Sequence, residues 1–324
     1  MDKKQFTTKD TTTSDEAGDE QDQETQAQVQ QEGEDGKPYG AVDHIFNFGP
    51  SCTLSSPDGE DMSTARSSGD SAVEKKTVFL RELPISRADH PFGDENAPQD
   101  DTTGLGVWPA SILMARYAVQ MKSELEGKVV AELGCGCGLP GLAAAVYCRP
   151  KKMYLTDIHV PTLENLEFNA KKNNLLANNA DSPASVFKID SEASQQVAEN
   201  DSIVEVLNVN WKDPTSYPTQ VVDVIIGADL VYDVAILQML VPAIAAILSQ
   251  GGIFLYCAPD DARDGMDQFV EALAAVNLKC INQQSCPAEM FANPFDSRDN
   301  DQYVLHFYDL SARVPHSLYH FVKS

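Results

Sequence analysis

A glycine-rich segment at residues 131–141, AELGCGCGLPG, has the composition of a turn that passes close under a ligand. The run before it is apolar and β-branched, which indicates a buried strand, and the run after it, LPGLAAAVYC, favours a helix. Glycines permit tight backbone conformations, and the free N–H groups at a helix start attract polar ligands. Because Gly136, Gly138 and Gly141 also fit G-x-G-x-x-G, the glycines predict a nucleotide-like cofactor without identifying it.

Two carboxylates near this turn separate the cofactor classes. Glu132 lies two residues before Gly134, at the strand end, where an anion would repel a pyrophosphate but attract the ammonium of a methionine moiety. Glu132 therefore favours an aminoacyl nucleoside over a dinucleotide. Asp157 ends the next strand about twenty residues on, where a carboxylate accepts the ribose hydroxyls of either cofactor. Asp157 thus supports a nucleoside without choosing between the two.

Alternating strands and helices are predicted to position these residues past Asp101, in the manner of an α/β domain with a largely parallel sheet. The predicted strands are 128–134, 153–157, 204–211, 221–229 and 251–260, and the predicted helices are 139–148, 160–175, 234–248 and 265–276. A last apolar run, QYVLHFYDL at 302–310, closes the pattern. The polar stretch 178–201 is interpreted as an insertion before the third strand.

The N-terminal third of the chain differs in composition. Residues 1–36 are rich in Gln, Glu, Asp and Thr, which predicts a disordered acidic tail. Residues 37–100 are interpreted as an extension with two short strands, in 43–49 and 77–83, separated by a flexible loop. Two strands are too few for an independent core, so they are expected to pack beside the main domain at 101–324.

Four motifs together carry a family resemblance: ELGCGCGLPG, the upstream TGLGVWPAS, the strand end LTD and the later GADLVYD. In this order and spacing they resemble the seven-β-strand methyltransferases of methyltransferase family 16, the D-x-x-Y protein-lysine methyltransferases. The resemblance covers residues 104–310. It implies a Rossmann-like sheet of seven strands, the last antiparallel, with S-adenosylmethionine lying across the carboxyl ends of the strands.

The resemblance also implies which residues contact the cofactor. Trp108 would pack against its methionine end, Asp157 would take the ribose, and Trp211 would lie by the adenine. Asn210 would face the exocyclic amine at a position where the family often has an acid, which puts that contact in doubt. The full expected set is Trp108, Glu132, Gly134, Gly136, Gly138, Asp157, Asn210, Trp211 and Ala228.

The segment GADLVYD places Asp229 and Tyr232 just beyond the fourth predicted strand. Methyl transfer to an amine requires a nucleophile held about 3 to 3.5 Å from the methyl carbon. A lysine must also be neutral, although its ordinary pKa is about 10.4. By resemblance, Asp229 orients the target amine or the surrounding loop, and Tyr232 forms part of the lysine channel. The competing interpretation is structural, with Asp229 capping the next helix and Tyr232 packing on it.

Several other functions stay open at this point. One alternative is methylation of a small pyridine or amine metabolite by the same scaffold, because some relatives carry names of that kind and the fold does not fix the acceptor. Another is a non-catalytic S-adenosylmethionine-binding scaffold, which would keep the same cofactor loop. A dehydrogenase is the remaining alternative. Enzymes that methylate adenine amines carry N-P-P-Y-type motifs, and Leu230 and Val231 provide no such proline platform.

Charge and composition restrict the partners. The chain has 324 residues, of which 24 are basic and 49 acidic, giving a formal charge of −25. Such a charge would repel a phosphate backbone and attract a basic protein segment, unless most of it belongs to a solvated tail. We therefore expect a protein substrate that presents a lysine, and no nucleic acid. The sequence does not indicate an oligomeric state.

Compartment and metal binding are predicted from what the sequence lacks. It contains no apolar run of about 18 residues and no recognisable targeting segment, so we expect no membrane partner and a cytoplasmic protein, with the nucleus as a second compartment. Its seven cysteines form no C-x-x-C pair, which predicts neither a disulfide framework nor a zinc site. Cys135 and Cys137 are interpreted as small turn residues. His159 and His306 are interpreted as structural, because lone histidines usually are.

Overall fold

The computed structural model describes residues 38, 40–49, 76–84, 103–176, 203–261, 263, 265–295 and 300–324. The chain divides into two units, 1–41 and 42–324. Only residues 38, 40 and 41 of the first unit are described. The predicted acidic tail, the loop between the two N-terminal strands and the predicted insertion at 178–201 lie outside the described residues.

Strands and helices alternate through the second unit, as the sequence predicts. The strands are β1 (Val42–Phe46), β2 (Val78–Glu82), β3 (Val129–Glu132), β4 (Lys152–Asp157), β5 (Ile203–Asn208), β6 (Val222–Ala228), β7 (Leu248–Pro259), β8 (Leu278–Ser285) and β9 (His316–Lys323). The α-helices are α1 (Pro109–Gln120), α2 (Lys122–Leu125), α3 (Leu139–Cys148), α4 (Val160–Lys172), α5 (Leu237–Ile247), α6 (Met266–Ala275), α7 (Asn300–His306) and α8 (Tyr308–Ser311). Within the described residues, no helix is both long enough and apolar enough to cross a membrane.

Seven of the strands form one sheet in the order β5-β4-β3-β6-β7-β9-β8. Six strands run parallel, and β9 is antiparallel to both of its neighbours. The expected seven-stranded sheet with a final antiparallel strand is therefore confirmed. The chain moves outward from β3 to β4 and β5 and then returns to β6, so β3 and β6 flank the point where the strand order reverses. In open α/β sheets, ligands bind at the carboxyl ends of the strands at such a point.

The sheet separates two hydrophobic cores. On β6, Val224 and Ile226 belong to the core that contains α1 and α3, whereas Ile225 belongs to the core that contains α5 and α6. Consecutive side chains of a strand point to opposite faces, so a strand covered on both sides reads as a continuous apolar run. This is why VVDVIIGA is apolar with almost no alternation.

The N-terminal strands β1 and β2 form a separate antiparallel pair. The outer edge of β2 is closed by amide side chains of α4 and its C-cap, because Phe79 N donates to Oδ1 of the C-cap residue Asn173 at 2.9 Å and Arg81 N donates to Asn169 Oδ1 at 2.8 Å. The guanidinium of Arg81 lies 3.5 Å from the ring centroid of Phe168. The two strands predicted in this extension are confirmed, and their backbone is attached to the main domain through side chains of one helix.

The apolar run at 302–310 is helical, and two strands that the pattern did not single out complete the sheet. Tyr303, Phe307 and Leu310 are buried, and their spacing of four and three residues suits one face of a helix. In β8, by contrast, Asn282, Gln283 and the following residues are exposed. An edge strand of this kind has too few buried apolar side chains to be recognised from its pattern.

Candidate active site

The glycine loop between β3 and α3 is shaped by close contacts on both sides. Gly134 and Gly136 have φ of +53° and +52°, a region that residues with side chains seldom adopt. A Cβ on Gly134 would lie 2.8 Å from Leu230 Cδ2, and one on Gly136 would lie 3.0 Å from the carbonyl oxygen of Gly104. Gly138 follows as the N-cap of α3. The loop thus requires glycine both for its backbone conformation and for space.

Backbone and carboxylate contacts hold the loop against β4 and β6. Leu133 N donates to Ile226 O at 3.1 Å, and Cys135 N donates to Thr156 O at 2.9 Å. Asp157 Oδ2 accepts from Gly136 N at 3.0 Å, which places this carboxylate directly beside the loop. The structure brings Asp157 and the glycines together as expected, and the contact of Asp157 with a ribose stays a prediction.

Glu132 is buried behind the glycine loop, with 2% of its surface exposed. Its Oε2 accepts from Gly141 N at 2.8 Å, in the first turn of α3. Burial raises the pKa of this carboxyl well above its ordinary value, the Gly141 N–H opposes that shift, and the nearby charge of Asp157 adds to it. A cationic group beside Glu132 would favour its ionised form. Contact with a methionine ammonium stays a prediction.

Trp108 and Trp211 lie on different parts of the site. Trp108 is 41% exposed, and its Nε1 donates to Thr103 O at 3.0 Å. Trp211 is partly buried, and its ring lies 3.4 Å from the position of a Cβ on Gly134, so it packs against the glycine loop. Ala228 is the last residue of β6 and is partly buried. Neither tryptophan requires a ligand to explain its position, and their cofactor contacts stay predictions.

Asn210 already uses its side-chain oxygen. Oδ1 accepts from Lys212 N at 2.9 Å, while the backbone N–H of Asn210 donates to Ser216 Oγ at 3.0 Å. An amide oxygen has two lone pairs, so an exocyclic amine would have to share this oxygen with Lys212 N–H.

The two middle residues of the D-x-x-Y segment are buried, and its tyrosine is exposed. Leu230 and Val231 are buried, and Val231 N donates to the hydroxyl of Tyr256 at 3.1 Å. Tyr232 is 59% exposed. Asp229 has φ of +52°, and its backbone N–H donates to Cys257 O at 2.8 Å. The buried pair therefore fixes the segment to β6 and β7 while Tyr232 is presented at the rim.

The carboxylate of Asp229 is occupied by a partner that the sequence interpretation missed. Arg263 Nε lies 2.6 Å from Oδ1, and its second guanidinium nitrogen lies 2.6 Å from Oδ2. The side chains are 24% and 13% exposed, and the hydrogen bonds to Asp229 raise the pKa of Arg263 although burial opposes this. A bidentate pair of this kind fixes both partners in one geometry. Asp229 therefore joins the rim of β6 to the loop that follows β7.

A second unpredicted group holds the segment before Trp108. Val107 N donates to Glu82 Oε1 at 2.5 Å, and Glu82 Oε2 lies 2.5 Å from the Nε2 atoms of both His44 and His306. Burial raises the pKa of Glu82, but hydrogen bonds from His306, His44 and Val107 outweigh it and lower the pKa to about 2. The hydrogen bond to Glu82 raises the pKa of His306 above its ordinary value. The interpretation of His306 as a lone histidine overlooked these two partners.

The pKa shifts of Glu82 and His306 predict a pH window in which this cluster stabilises the fold. The carboxyl of Glu82, with its pKa lowered from 4.5 to about 2, stabilises the fold above pH 4.5 and loses this contribution as the pH falls towards 2. The ring of His306, with its pKa raised from 6.5, stabilises the fold below pH 6.5 and loses its contribution as the pH rises through the raised value. The urea concentration at the midpoint of unfolding should therefore be highest between pH 4.5 and pH 6.5 and should fall on both sides of that range. In Glu82→Gln the midpoint should change less with pH on both sides. Identical pH profiles for the two proteins would contradict the prediction.

Comparisons with known proteins agree with this arrangement. Residues 95–276 match the model of a family described as lysine methyltransferase. The chain is 34% identical over 133 residues to human "Protein-lysine N-methyltransferase EEF2KMT", covering 40% of this chain and 36% of that protein, and the mouse protein of that name is 30% identical with the same coverage. "Histone-arginine methyltransferase METTL23" of Xenopus laevis is 25% identical over 183 residues, covering 55% of this chain and 66% of that protein. The match thus spans little more than a third of the two EEF2KMT proteins.

Proposed function

This chain belongs to the family of lysine methyltransferases, and on that premise we propose that it transfers the methyl group of S-adenosylmethionine to a lysine side chain of a protein substrate. The proposal rests on one observation: the glycine loop packs directly against the D-x-x-Y segment. Leu230, between Asp229 and Tyr232, lies so close to Gly134 that a Cβ there would be 2.8 Å from it. Cofactor loop and acceptor rim are therefore neighbours at the carboxyl ends of β3 and β6.

The residues at this edge suit a charged aminoacyl nucleoside. The loop offers close backbone approach at Gly134 and Gly136, Asp157 is held beside it for a ribose, and Glu132 is the buried anion for an ammonium. When bound, S-adenosylmethionine would supply an activated methyl group on a sulfonium. A dinucleotide suits the site less well, because Glu132 would repel its pyrophosphate.

The rim residues would prepare the acceptor amine. A lysine loses its proton more readily when it is removed from water, and an aromatic wall at Tyr232 would contribute to that desolvation. Both carboxylate oxygens of Asp229 are held by the guanidinium of Arg263. This pairing supports the second of the two roles that the resemblance allows, in which Asp229 orients the surrounding loop.

The nature of the acceptor is part of the proposal. The family description and the EEF2KMT relatives name lysine, whereas METTL23 is named for histone arginine. A formal charge of −25 favours a basic protein segment over a nucleic acid. We place the reaction in the cytoplasm, with the nucleus as a second compartment, and cell fractionation with an antibody would test that placement.

The decisive experiment incubates the purified protein with radiolabelled S-adenosylmethionine and cell extract, and then hydrolyses the labelled protein. Label in methyl-lysine supports the proposal, and label in methyl-arginine overturns its acceptor. Label confined to low-mass material would favour the small-molecule alternative. Asp229→Ala should cause a large loss of labelling by an enzyme, whereas a non-catalytic scaffold would transfer no label in either form. As a control, calorimetry with S-adenosylhomocysteine tests whether each sample still binds a cofactor product.

Glu132→Gln is expected to weaken binding of S-adenosylmethionine about tenfold, because an amide cannot form the charge-assisted bond with an ammonium. The amide oxygen can still accept from Gly141 N–H, so the contact between the strand end and α3 is kept. Binding of 5′-methylthioadenosine, which lacks the amino-acid moiety, should be unchanged. Calorimetry with both ligands measures the difference, and an equal loss for both would contradict the ammonium contact.

A further inference from the structure

Three side chains from distant parts of the sequence converge away from the glycine loop. His44 lies on β1, Glu82 ends β2 and His306 ends α7, and their nearest ligand atoms all lie within 4.8 Å of one another. Both histidines approach the same carboxylate oxygen through Nε2, at 2.5 Å each. We propose that His44, Glu82 and His306 form a binding site for a divalent cation of the zinc class, with water as a fourth ligand.

The donor set selects the class of ion. Two imidazole nitrogens with one carboxylate oxygen suit zinc and its first-row neighbours, and zinc commonly takes three protein ligands of this kind plus a water molecule. Magnesium and calcium prefer sites built mainly from oxygen. In a tetrahedral zinc site the ligand atoms stand about 3.4 Å apart, so each of the two N–O distances of 2.5 Å would lengthen by about 1 Å when a cation binds.

The surroundings hold two of the three ligands, His44 and Glu82, in place. The ring of His44 stacks on Phe295 at a centroid distance of 5.3 Å and also lies against Phe307 at 5.8 Å. The second oxygen of Glu82 accepts from Val107 N, which orients the carboxylate. Apolar packing around ligands and a hydrogen bond to a ligating carboxylate are the outer contacts that tune metal sites.

Access to the site comes from one side. The side chains of His44 and Glu82 are 1% and 11% exposed, whereas that of His306 is 34% exposed. A cation would therefore enter past His306 and meet two ligands that are already held in place. Because Glu82 also holds Val107, an ion here would fasten the residue before Trp108 to the N-terminal strand pair and to α7.

The test uses the full chain, stripped with a chelator and dialysed, and titrated with ZnCl2 by calorimetry. We expect one equivalent to bind at neutral pH and the bound ion to stabilise the protein against heat. Cobalt(II) should give the visible absorption of a site with nitrogen and oxygen ligands, without a thiolate charge-transfer band. Such a band would assign binding to cysteines and overturn the proposal.

His306→Ala is the informative variant because the residue is the most exposed of the three, and its loss leaves the buried pair in place. Removal of a residue that only hydrogen-bonds to a metal ligand lowers metal affinity by up to roughly 100-fold. Removal of His306, a ligand itself, should lower the affinity for zinc by more than that. His159→Ala, which removes a histidine outside the cluster, is the control and should bind as the wild type does. Undiminished affinity in His306→Ala, or no binding by a folded wild-type sample, would overturn the site. Neither result bears on methyl transfer, so the proposed function is tested separately.

Discussion

Arg263→Ala is expected to reduce methyl transfer about 100-fold and to destabilise the fold by about 3 kcal/mol. Asp229 then keeps its charge without a partner at a position that is only 13% exposed, which is costly in a site of this kind. The rim of β6 also loses its bidentate connection to the loop after β7. Misplacement of an acceptor by about 1 Å is enough for a rate loss of this size. Single-turnover labelling measures the rate, and urea unfolding measures the stability.

Two further variants separate charge from geometry at this pair. Arg263→Lys keeps the charge but cannot form the planar bidentate contact, so it should recover most of the stability and only part of the rate. In a double-mutant cycle, Asp229→Asn with Arg263→Ala should be less damaging than the sum of the two single changes, because neither charge is then left unpaired. Additive losses would show that the two residues act independently, contrary to the structure.

Gly136→Ala is expected to weaken binding of S-adenosylhomocysteine at least tenfold. The added Cβ would lie 3.0 Å from the backbone oxygen of Gly104, which cannot move aside as a flexible side chain could. The residue would also be held at a φ of +52°, at a cost of about 1 kcal/mol. The loop is therefore expected to shift away from Gly104 and to lose its approach to the cofactor. Calorimetry with S-adenosylhomocysteine measures the effect.

Gly127→Ala provides the matched control for this prediction. Gly127 has a φ of +70°, and a Cβ there meets nothing within 4 Å. It therefore carries the conformational cost of alanine without the steric contact, and the variant should lose a little stability and no cofactor affinity. If both variants bind the ligand as the wild type does, close packing of the loop against Gly104 has no bearing on the cofactor site.

The sequence pattern was sufficient for the parts of the fold in which neighbours along the chain determine the structure. The apolar strands β3, β4 and β6, the glycine turn and the helix after it are all local signals, and Asp157 lies beside Gly136 as expected. Strand β8 was missed because most of its residues are exposed, so neither a buried run nor a clear alternation marks it.

The partners of the site residues were out of reach for a different reason. Arg263 pairs with a residue 34 positions earlier, and His306 meets Glu82 across 224 positions. Such contacts depend on the tertiary fold and leave no periodic signal in one sequence. The amides of Asn169, in the last turn of α4, and of Asn173, its C-cap four residues on, were a local signal that could have indicated a strand edge beside that helix.

The position of β9 has a consequence for how the protein is made. Within the described residues, β8 pairs with β9 alone, and β9 reaches the sheet by lying against β7, where Val322 pairs with Ile253. When the nascent chain has left the ribosome only as far as β8, the partner strand β9 is still missing. Strand β8 then has nothing to pair with, and the edge of β7 is unpaired. Open strand edges pair readily with other chains. The edge of β7 therefore stays open to such pairing until β9 has been made and lies against it.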